Sequence, residues 1–354
     1  MPESFRRYAP AVFFIGGFAW DALTLGRSIK PLDLFLLAAY LAGAAVILVM
    51  LGRRVRSSSG SSELLGVPRD SSSEEPRNSE APRNWSRYLN NVLQFFFGGI
   101  FSALFIFYFL SSGGLGGYLF VVGLAALLIG NEFLGSRYSE LTLSWTFFTL
   151  SACMFFNFAL AHLFRSISTF WFYLGTLVAM VLVVTLRRVA RHESASIKPS
   201  IVVAALLLLL HVFNLIPPVP LVKKQMLVAH DLRRERGGYT AYIEPRGWRI
   251  WRTSSPVFHR RAGERVYCFT SVFVPNGIRT TIRHRWEHEG TTMDVRAFPI
   301  TGGRQGGYRG YTLKQNLIPG RWRVTAESES GATIGFVDFV VVAGEPKDLK
   351  KVRL

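Results

Sequence analysis

Long apolar runs separated by short polar stretches dominate the first two thirds of the chain. The runs are long enough to cross a hydrocarbon core of roughly 30 Å as helices, and a helix satisfies its own backbone hydrogen bonds in lipid. We therefore predict about seven transmembrane helices: Tyr8–Leu25, Leu32–Leu51, Leu89–Leu110, Gly117–Phe133, Leu141–Phe164, Ile167–Leu186 and Ile201–Ile216. Pro217, Pro218 and Pro220 follow the last run and stop its helix, because proline has no amide donor.

The last third of the chain changes to a period of two. Short segments rich in β-branched and aromatic residues alternate with turn signals such as Pro275-Asn276-Gly277 and Pro319-Gly320. The predicted strands are Val266–Val274, Thr280–Glu289, Thr292–Ile300, Gly307–Leu313, Arg321–Ser328 and Thr333–Val342. This spacing predicts an all-β antiparallel sandwich of immunoglobulin-like outline.

The two patterns divide the chain into four parts. Residues 1–220 form the predicted helical membrane domain, and residues 239–345 form the sandwich. A segment at about 56–85 is rich in Ser, Glu, Arg and Pro. We predict that it is a disordered loop, because it can bury too little apolar surface to fold. Residues 221–238 are predicted to be a juxtamembrane helix or linker, and residues 346–354 a basic tail.

Charge adds an orientation to this layout. The net charge is +18 and 49% of the residues are hydrophobic, which favours an anionic lipid surface over nucleic acid as the counterpart. Basic loops stay in the cytoplasm. With a cytoplasmic N-terminus, ten Lys and Arg residues near the span ends lie inside and five outside. We expect a bacterial inner-membrane protein whose C-terminal domain is periplasmic, an assignment that an error of one span would reverse.

The C-terminal domain resembles a bacterial family named domain of unknown function 2914. The resemblance rests on YCFT at 267–270, HRW at 284–286, GRWRV at 320–324 and the segment 331–341. The helical part is similar to the one that often precedes this domain, through QFFFGG at 94–99 and NEF at 131–133. The family commonly shows a Trp-Arg-Thr-Tyr-Ser-like segment where this chain has YRGYT at 308–312. The resemblance implies a fold and a membrane setting, and no activity.

One short motif suggests metal chemistry. HRWEH at His284–His288 matches the HxxEH pattern of zinc peptidases, in which both histidines and the glutamate converge from a helix. Here the segment alternates as a strand, so Glu287 faces away from His284 and Trp286. We predict no metal or cofactor, and expect backbone hydrogen bonds to the imidazole. The predicted sandwich core contains His284, Trp286, Trp322 and Phe339.

Two further groups of residues are candidates for function. A strip that interleaves cations with indoles suits lipid headgroups or an anionic envelope polymer, and its residues are Arg246, Trp248, Arg249, Trp251 and Arg252. Polar residues within spans mark ion paths or helix–helix hydrogen bonds, and here they are Asp21, Glu132, Asn157, His162, His211 and Asn214. An ordinary amphipathic strand is the alternative for the strip.

The sequence favours a non-enzymatic membrane protein that displays a β-sandwich for binding. Its expected partners are membrane lipids and an envelope protein or anionic polymer, without nucleic acid, and the oligomeric state stays open. The alternative is a transporter or sensor in which the sandwich gates or reports to the helices. A membrane-embedded hydrolase would require His162, Glu132 and Asp21 to meet near one bilayer face.

Overall fold

The computed structural model describes residues 31–63, 80–134, 138, 140–190, 195–235, 237–245, 255–304, 306–346 and 348–354. These residues fall into two compact units. The helical unit holds the described residues up to Ile106 together with Val122–Leu160 and Phe170–Val212. The β unit holds Phe107–Val121, Ala161–Thr169 and Phe213–Leu354. The connections between two pairs of helices therefore belong to the β unit.

Six helices lie within these ranges. They are α1 (Pro31–Glu63), α2 (Glu80–Ser111), α3 (Leu115–Phe133), α4 (Leu141–Leu163), α5 (Thr169–Ala190) and α6 (Lys198–Val212). Five of them, α1 to α5, are long and apolar enough to cross a membrane. The predicted count of seven is not reached, and the first predicted span, Tyr8–Leu25, lies outside the described residues.

The last helix is shorter than predicted. It has 15 residues and ends at Val212, whereas the sequence predicted a span to Ile216. Asn214 adopts a φ of 54°, and a left-handed residue of this kind ends a helix before the proline run is reached. The predicted disordered loop of 56–85 is also wrong at both ends, because α1 continues to Glu63 and α2 begins at Glu80. Extending an existing helix costs less than starting one.

Close approach of helices in the helical unit depends on a glycine. A Cβ atom on Gly175 of α5 would lie 3.0 Å from the backbone nitrogen of Asn157 on α4, and 2.7 Å from the side-chain Oδ1 of the same residue. The two backbones therefore meet at a distance that only glycine permits, as at small-residue contacts between membrane helices.

Eleven strands form three sheets. They are β1 (Val222–Ala229), β2 (Asp231–Glu235), β3 (Gly238–Ile243), β4 (Val257–Arg260), β5 (Val266–Phe273), β6 (Arg279–His288), β7 (Thr291–Thr301), β8 (Tyr308–Lys314), β9 (Gly320–Glu327), β10 (Thr333–Ala343) and β11 (Lys350–Arg353). Sheet 1 has the order β1-β5-β8, sheet 2 the order β4-β10-β9-β6-β7, and sheet 3 the order β11-β3-β2. All pairs are antiparallel except β4 with β10.

Sheet 1 lies between two apolar cores. Met226 and Val228 of β1 and Cys268 of β5 contribute to the larger core, which also contains residues of sheet 2. Leu227 of β1 and Phe269 of β5 contribute to a second core that contains residues of sheet 3. Successive residues of a strand point to opposite faces, so β1 and β5 serve both cores.

The six predicted strands are confirmed as β5 to β10, and the predicted ends of the β region are wrong. Within the predicted juxtamembrane helix or linker, Val222–Ala229 and Asp231–Glu235 form strands β1 and β2. A strand buried on both faces reads as a continuous apolar run, which does not show a period of two. In the predicted basic tail, 350–353 pair with β3 as β11. The sequence analysis also missed β3 and β4.

Candidate binding site on the five-stranded sheet

The outer face of sheet 2 carries a groove with a volume of about 880 Å³. Strands β9 and β10 form its floor by alternation, since Trp322 and Phe339 point into the core while Arg321 and Arg323 point outward. The groove is lined by Lys223, Glu287, Glu289, Arg321, Arg323, Phe336, Asp338 and Val340, with further residues of β9 and β10. It combines cations, carboxylates and exposed apolar side chains.

An ion pair occupies the middle of the groove. Arg323 Nε lies 2.6 Å from Asp338 Oδ1, and Arg323 Nη2 lies 2.9 Å from Asp338 Oδ2. Residues 323 and 338 are direct partners across β9 and β10. The guanidinium carbon also lies 4.5 Å from the ring centre of Phe336. This bidentate pair with a cation–π contact fixes the orientation of both side chains.

The other two carboxylates of the groove are also engaged. Glu287 contacts Arg285 Nη1 at 3.2 Å, and the Thr325 hydroxyl donates to it at 3.3 Å. Glu289 accepts the backbone N–H of Arg321 at 2.7 Å. The partner of Glu287 is therefore a cation, whereas that of Glu289 is a neutral backbone amide.

The groove also contains two cations that form no ion pair within the described structure. Among the residues that the structure describes, neither Lys223 nor Arg321 has an ion-pair partner. The Lys223 side chain crosses from β1 to β10, where its Nζ is 3.0 Å from the position that a Cβ of Gly335 would take. Lys223 is exposed as a residue, while partial desolvation of its ammonium lowers its pKa. The lining of the groove thus combines three cations with three carboxylates, and two of the cations have no ion-pair partner in the described structure.

The HxxEH motif lies on β6 beneath this face. His284 and Trp286 are fully buried, and Trp322 and Phe339 are 2% and 3% exposed. His284 Nε2 lies 2.8 Å from the Thr270 hydroxyl, and Nδ1 lies 2.9 Å from that of Thr312. These hydroxyls replace the backbone partners that the sequence analysis expected, and burial lowers the pKa of His284 to about 3.

The remaining residues of the motif point elsewhere. Glu287 lies on the outer face, and His288 Nε2 contacts the Pro319 carbonyl at 3.1 Å. The three side chains do not converge. No group of three or more metal-binding side chains was found within the described ranges.

A second polar cluster was missed by the sequence analysis. His230, which is 7% exposed, lies between Glu264 at 2.8 Å from Nδ1 and Glu244 at 3.2 Å from Nε2. His259 Nδ1 contacts the same Glu244 carboxylate at 3.1 Å. His230 therefore bridges two carboxylates through its two ring nitrogens. The four residues are far apart in the sequence, so no spacing motif predicts that they form a cluster.

This cluster flanks the predicted cation–indole strip on both sides. Glu244 precedes the strip and His259 follows it, and they are joined by the hydrogen bond from His259 N to Glu244 Oε1 at 3.0 Å. The strip itself, Arg246 to Arg252, lies outside the described residues, as does Asp21. Its proposed role therefore stays a prediction.

The described polar residues of the predicted spans each have their own surroundings. His211 stacks on Phe172 with ring centres 3.9 Å apart, whereas Asn214 is exposed in the turn after α6. Asn157 packs against Gly175 with its buried Oδ1 unpaired in the described structure. His162 is the penultimate residue of α4. Glu132 accepts from Gln94 only through its backbone carbonyl, at 3.5 Å.

Helices α2 and α3 meet through a polar contact that sequence reasoning did not predict. Gln94 Nε2 donates to the Asn131 carbonyl at 3.1 Å, and Asn131 Nδ2 donates to the Gln94 carbonyl at 3.3 Å. The Tyr138 hydroxyl donates to Asn131 Oδ1. Both amides belong to segments that carried the family resemblance of the helical part. The sequence does not show which residues of the two helices face each other, so this pair of amides could not be predicted from it.

The strands that build the groove are also the ones that known proteins share. Residues 279–341 match the family model described as "Protein of unknown function (DUF2914)". The match runs from the start of β6 into β10 and confirms the resemblance of the C-terminal region. Within the matched range, Gly310 of β8 makes room for the ring of Phe298, which an added Cβ would meet.

Other comparisons add little. Comparison with curated proteins found no match. Among solved structures, the alkylpurine DNA glycosylase AlkC of Pseudomonas fluorescens, bound to DNA containing an abasic site analogue, aligns with 89% of this chain and 100% of its own. The identity is 11% and the TM-score 0.21. A TM-score this low carries no argument about fold or activity.

Proposed function

We propose that this protein is a polytopic bacterial inner-membrane protein that presents its β region in the periplasm as a non-enzymatic binding module. The groove of sheet 2 is the observation that carries the proposal. It offers two cations without ion-pair partners in the described structure beside exposed apolar side chains, on strands whose backbone is fixed by pairing. Such a face binds a ligand without catalytic groups.

The periplasmic placement is supported by how helices and basic residues are distributed. The α2–α3 connection, the α4–α5 connection and the exit from α6 all belong to the β unit. Arg53 of α1, Arg187 of α5 and Lys198 of α6 lie toward the other ends of their helices. Since basic ends stay in the cytoplasm, the β region belongs outside.

An immunoglobulin-like outline is part of the proposal. Sheets 1 and 2 share one core, as in the two-sheet sandwiches of that class. Charge favours an anionic partner, because residues 213–354 contain 24 Lys and Arg against 12 Asp and Glu. A basic surface of this kind attracts an anionic envelope polymer, an acidic protein or lipid headgroups.

One observation favours the sensor alternative. Two helix connections contact strands of the β unit, since Arg279 N of β6 donates to the Arg165 carbonyl at 3.2 Å and Gly113 lies against the backbone of Ile334. A ligand that shifts β6 or β10 would therefore reach the helix ends directly. This alternative uses the same groove and adds a readout through α2 to α5.

The test is site-specific photo-crosslinking in intact cells. A photoreactive residue at Val340, in the groove, should capture a discrete partner, whereas one at Leu349, outside it and similarly exposed at 40% against 38%, should not. Equal capture at both positions, or capture at neither, would contradict the binding role of the groove.

A further inference from the structure

One edge of β10 lies open along the groove. Strand β9 pairs with β10 over Thr333–Val341, whereas β4 pairs with it only over Val340–Ala343. Toward the start of β10, Gly113 lies against the carbonyl of Ile334. The stretch Phe336–Phe339, about 13 Å long as a strand, therefore has a neighbouring strand on one side only in the described structure. All of its residues line the groove, and we refer to it as the open edge.

The alternation of the backbone shows which groups the open edge presents. Val340 N donates to the Pro256 carbonyl at 2.8 Å, so the backbone groups of Val340 point toward β4. Residues of a strand alternate between its two edges. Because β10 has no bulge after Gly335, Phe336 and Asp338 direct their N–H and C=O groups to the same edge. Within the described structure, no hydrogen bond reaches these backbone groups.

A proline prevents β4 from covering the open edge. Val340 stands opposite Val257, and in parallel pairing its carbonyl accepts from the residue that follows this partner. In the same register, the Asp338 carbonyl would accept from residue 256, which is a proline and has no N–H. Strand β4 therefore cannot supply the donor for this carbonyl, and the open edge follows from the sequence.

The charge beside the open edge indicates which kind of strand fits it. Asp338 and Arg323 neutralise each other in their bidentate pair. Lys223 lies against Gly335 at one end of the open edge, and it has no ion-pair partner in the described structure. A carboxylate on an added strand complements this ammonium. The exposed ring of Phe336 offers an apolar surface to a side chain of the same strand.

We propose that the open edge binds an extended acidic peptide of a partner protein, which adds to sheet 2 as a strand beside β10 and places a carboxylate at Lys223. In such β-strand addition, backbone hydrogen bonds supply the affinity and alternate side chains supply the specificity. The inference rests on the proposed function and names the partner of the same groove. Binding by the purified protein does not depend on membrane orientation.

The experiment selects linear peptides from a random phage-displayed library on the full-length protein in detergent, and discards those that also bind the Asp338→Pro variant. This proline removes an amide hydrogen of the open edge and leaves the hydrogen bonds to β9 intact. Asp338→Ala is the matched control, because it removes the same carboxylate and retains the N–H. Calorimetry then measures the affinity of a synthetic copy of a selected peptide.

Two lysine variants test the charge at the end of the open edge. Lys223→Gln should weaken the affinity of the peptide about tenfold, the equivalent of one charge-assisted hydrogen bond. Lys224→Gln should leave the affinity unchanged, since Lys224 lies over the ring of Phe273 and does not line the groove. Asp338→Ala should retain binding. Unchanged thermal unfolding of each variant shows that its fold is retained.

N-methylation of the peptide tests the pairing itself and needs only the wild-type protein. Methylation of alternate residues should abolish binding, and methylation of the intervening residues should not, because only every second N–H faces β10. This series decides the question if Asp338→Pro does not fold.

Four results would overturn the proposal: no such peptide is selected, the methylated series shows no alternation, Asp338→Ala loses binding, or Lys224→Gln weakens it as much as Lys223→Gln. Self-association of the protein that Asp338→Pro abolishes would make a second copy the occupant, and would overturn it equally. If photo-crosslinking at Val340 still captures a partner in cells, the proposed function stands and only the strand addition is wrong.

Discussion

At the scale of single residues, His284 shows how a histidine is kept neutral inside a β core. Its two ring nitrogens meet the hydroxyls of Thr270 and Thr312, and Trp286 Nε1 donates to Thr312 at 3.1 Å. A hydroxyl that accepts from the indole can donate to Nδ1, which leaves the Nε2 hydrogen for Thr270. All four groups are then satisfied without a charge, as a buried polar network requires.

This arrangement predicts a dependence of stability on pH. The pKa of His284 is about 3 in the folded protein and about 6.5 when unfolded. Between these values the unfolded chain binds one more proton, so stability is full above pH 6.5 and falls as the pH decreases. The loss is about 1.4 kcal/mol per pH unit, or roughly 2 kcal/mol at pH 5.

The measurement compares urea unfolding of the full-length protein and of His284→Gln in detergent at pH 7 and pH 5. Glutamine retains hydrogen-bonding groups and cannot titrate, so the variant should lose less stability on acidification than the wild type. Other histidines titrate equally in both proteins and cancel in the difference. Identical pH dependence would show that His284 is protonated in the folded state.

At the scale of elements, the connection between α2 and α3 packs closely against the backbone of β10. A Cβ on Gly113 would lie 2.0 Å from the carbonyl oxygen of Ile334, a backbone atom that cannot turn aside. A Cβ on Gly123, within α3, would meet nothing within 4 Å. The same substitution therefore has opposite consequences at the two positions.

We predict that Gly113→Ala lowers the thermal unfolding temperature of the full-length protein, because the connection or β10 must move. Gly123→Ala should raise or preserve it, since alanine favours a helix by about 1 kcal/mol over glycine. Thermal unfolding in detergent, followed by circular dichroism, measures both. A stable Gly113→Ala variant would show that the connection does not pack on β10.

The elements also show what the sequence can and cannot predict. Strands β5 to β10 followed from turn signals and alternation, and the burial of Trp322 and Trp286 followed with them. Strand β1 was taken for a helix because Leu227 and Met226 are both buried, on opposite faces. The groove and the His230 cluster could not be predicted, because they join residues that only the pairing of strands brings together.

At the scale of the whole molecule, the proposed orientation in the membrane is argued from the described helices and not from the first apolar run. The described helices alone assign the α2–α3 and α4–α5 connections to the same unit as the β strands. The basic residues Arg187 and Arg188 lie at the other end of α5.

Cysteine labelling in intact cells measures this orientation. The two native cysteines, Cys153 and Cys268, are free and fully buried, so they give little background. A membrane-impermeant maleimide should label Glu329→Cys, exposed in the β9–β10 turn, and should not label Ser196→Cys until the cells are opened. The reverse pattern would place the β region in the cytosol.

The middle position of sheet 1 has a consequence for how the β region comes apart. Cys268 and Phe269 are neighbours in the chain, yet each supports a different apolar interior. Because both apolar cores pack on β5, neither core can be disrupted while the other still holds β5 in place. The three layers should therefore melt together in one cooperative step, with the amide hydrogens of β5 among the slowest to exchange with solvent.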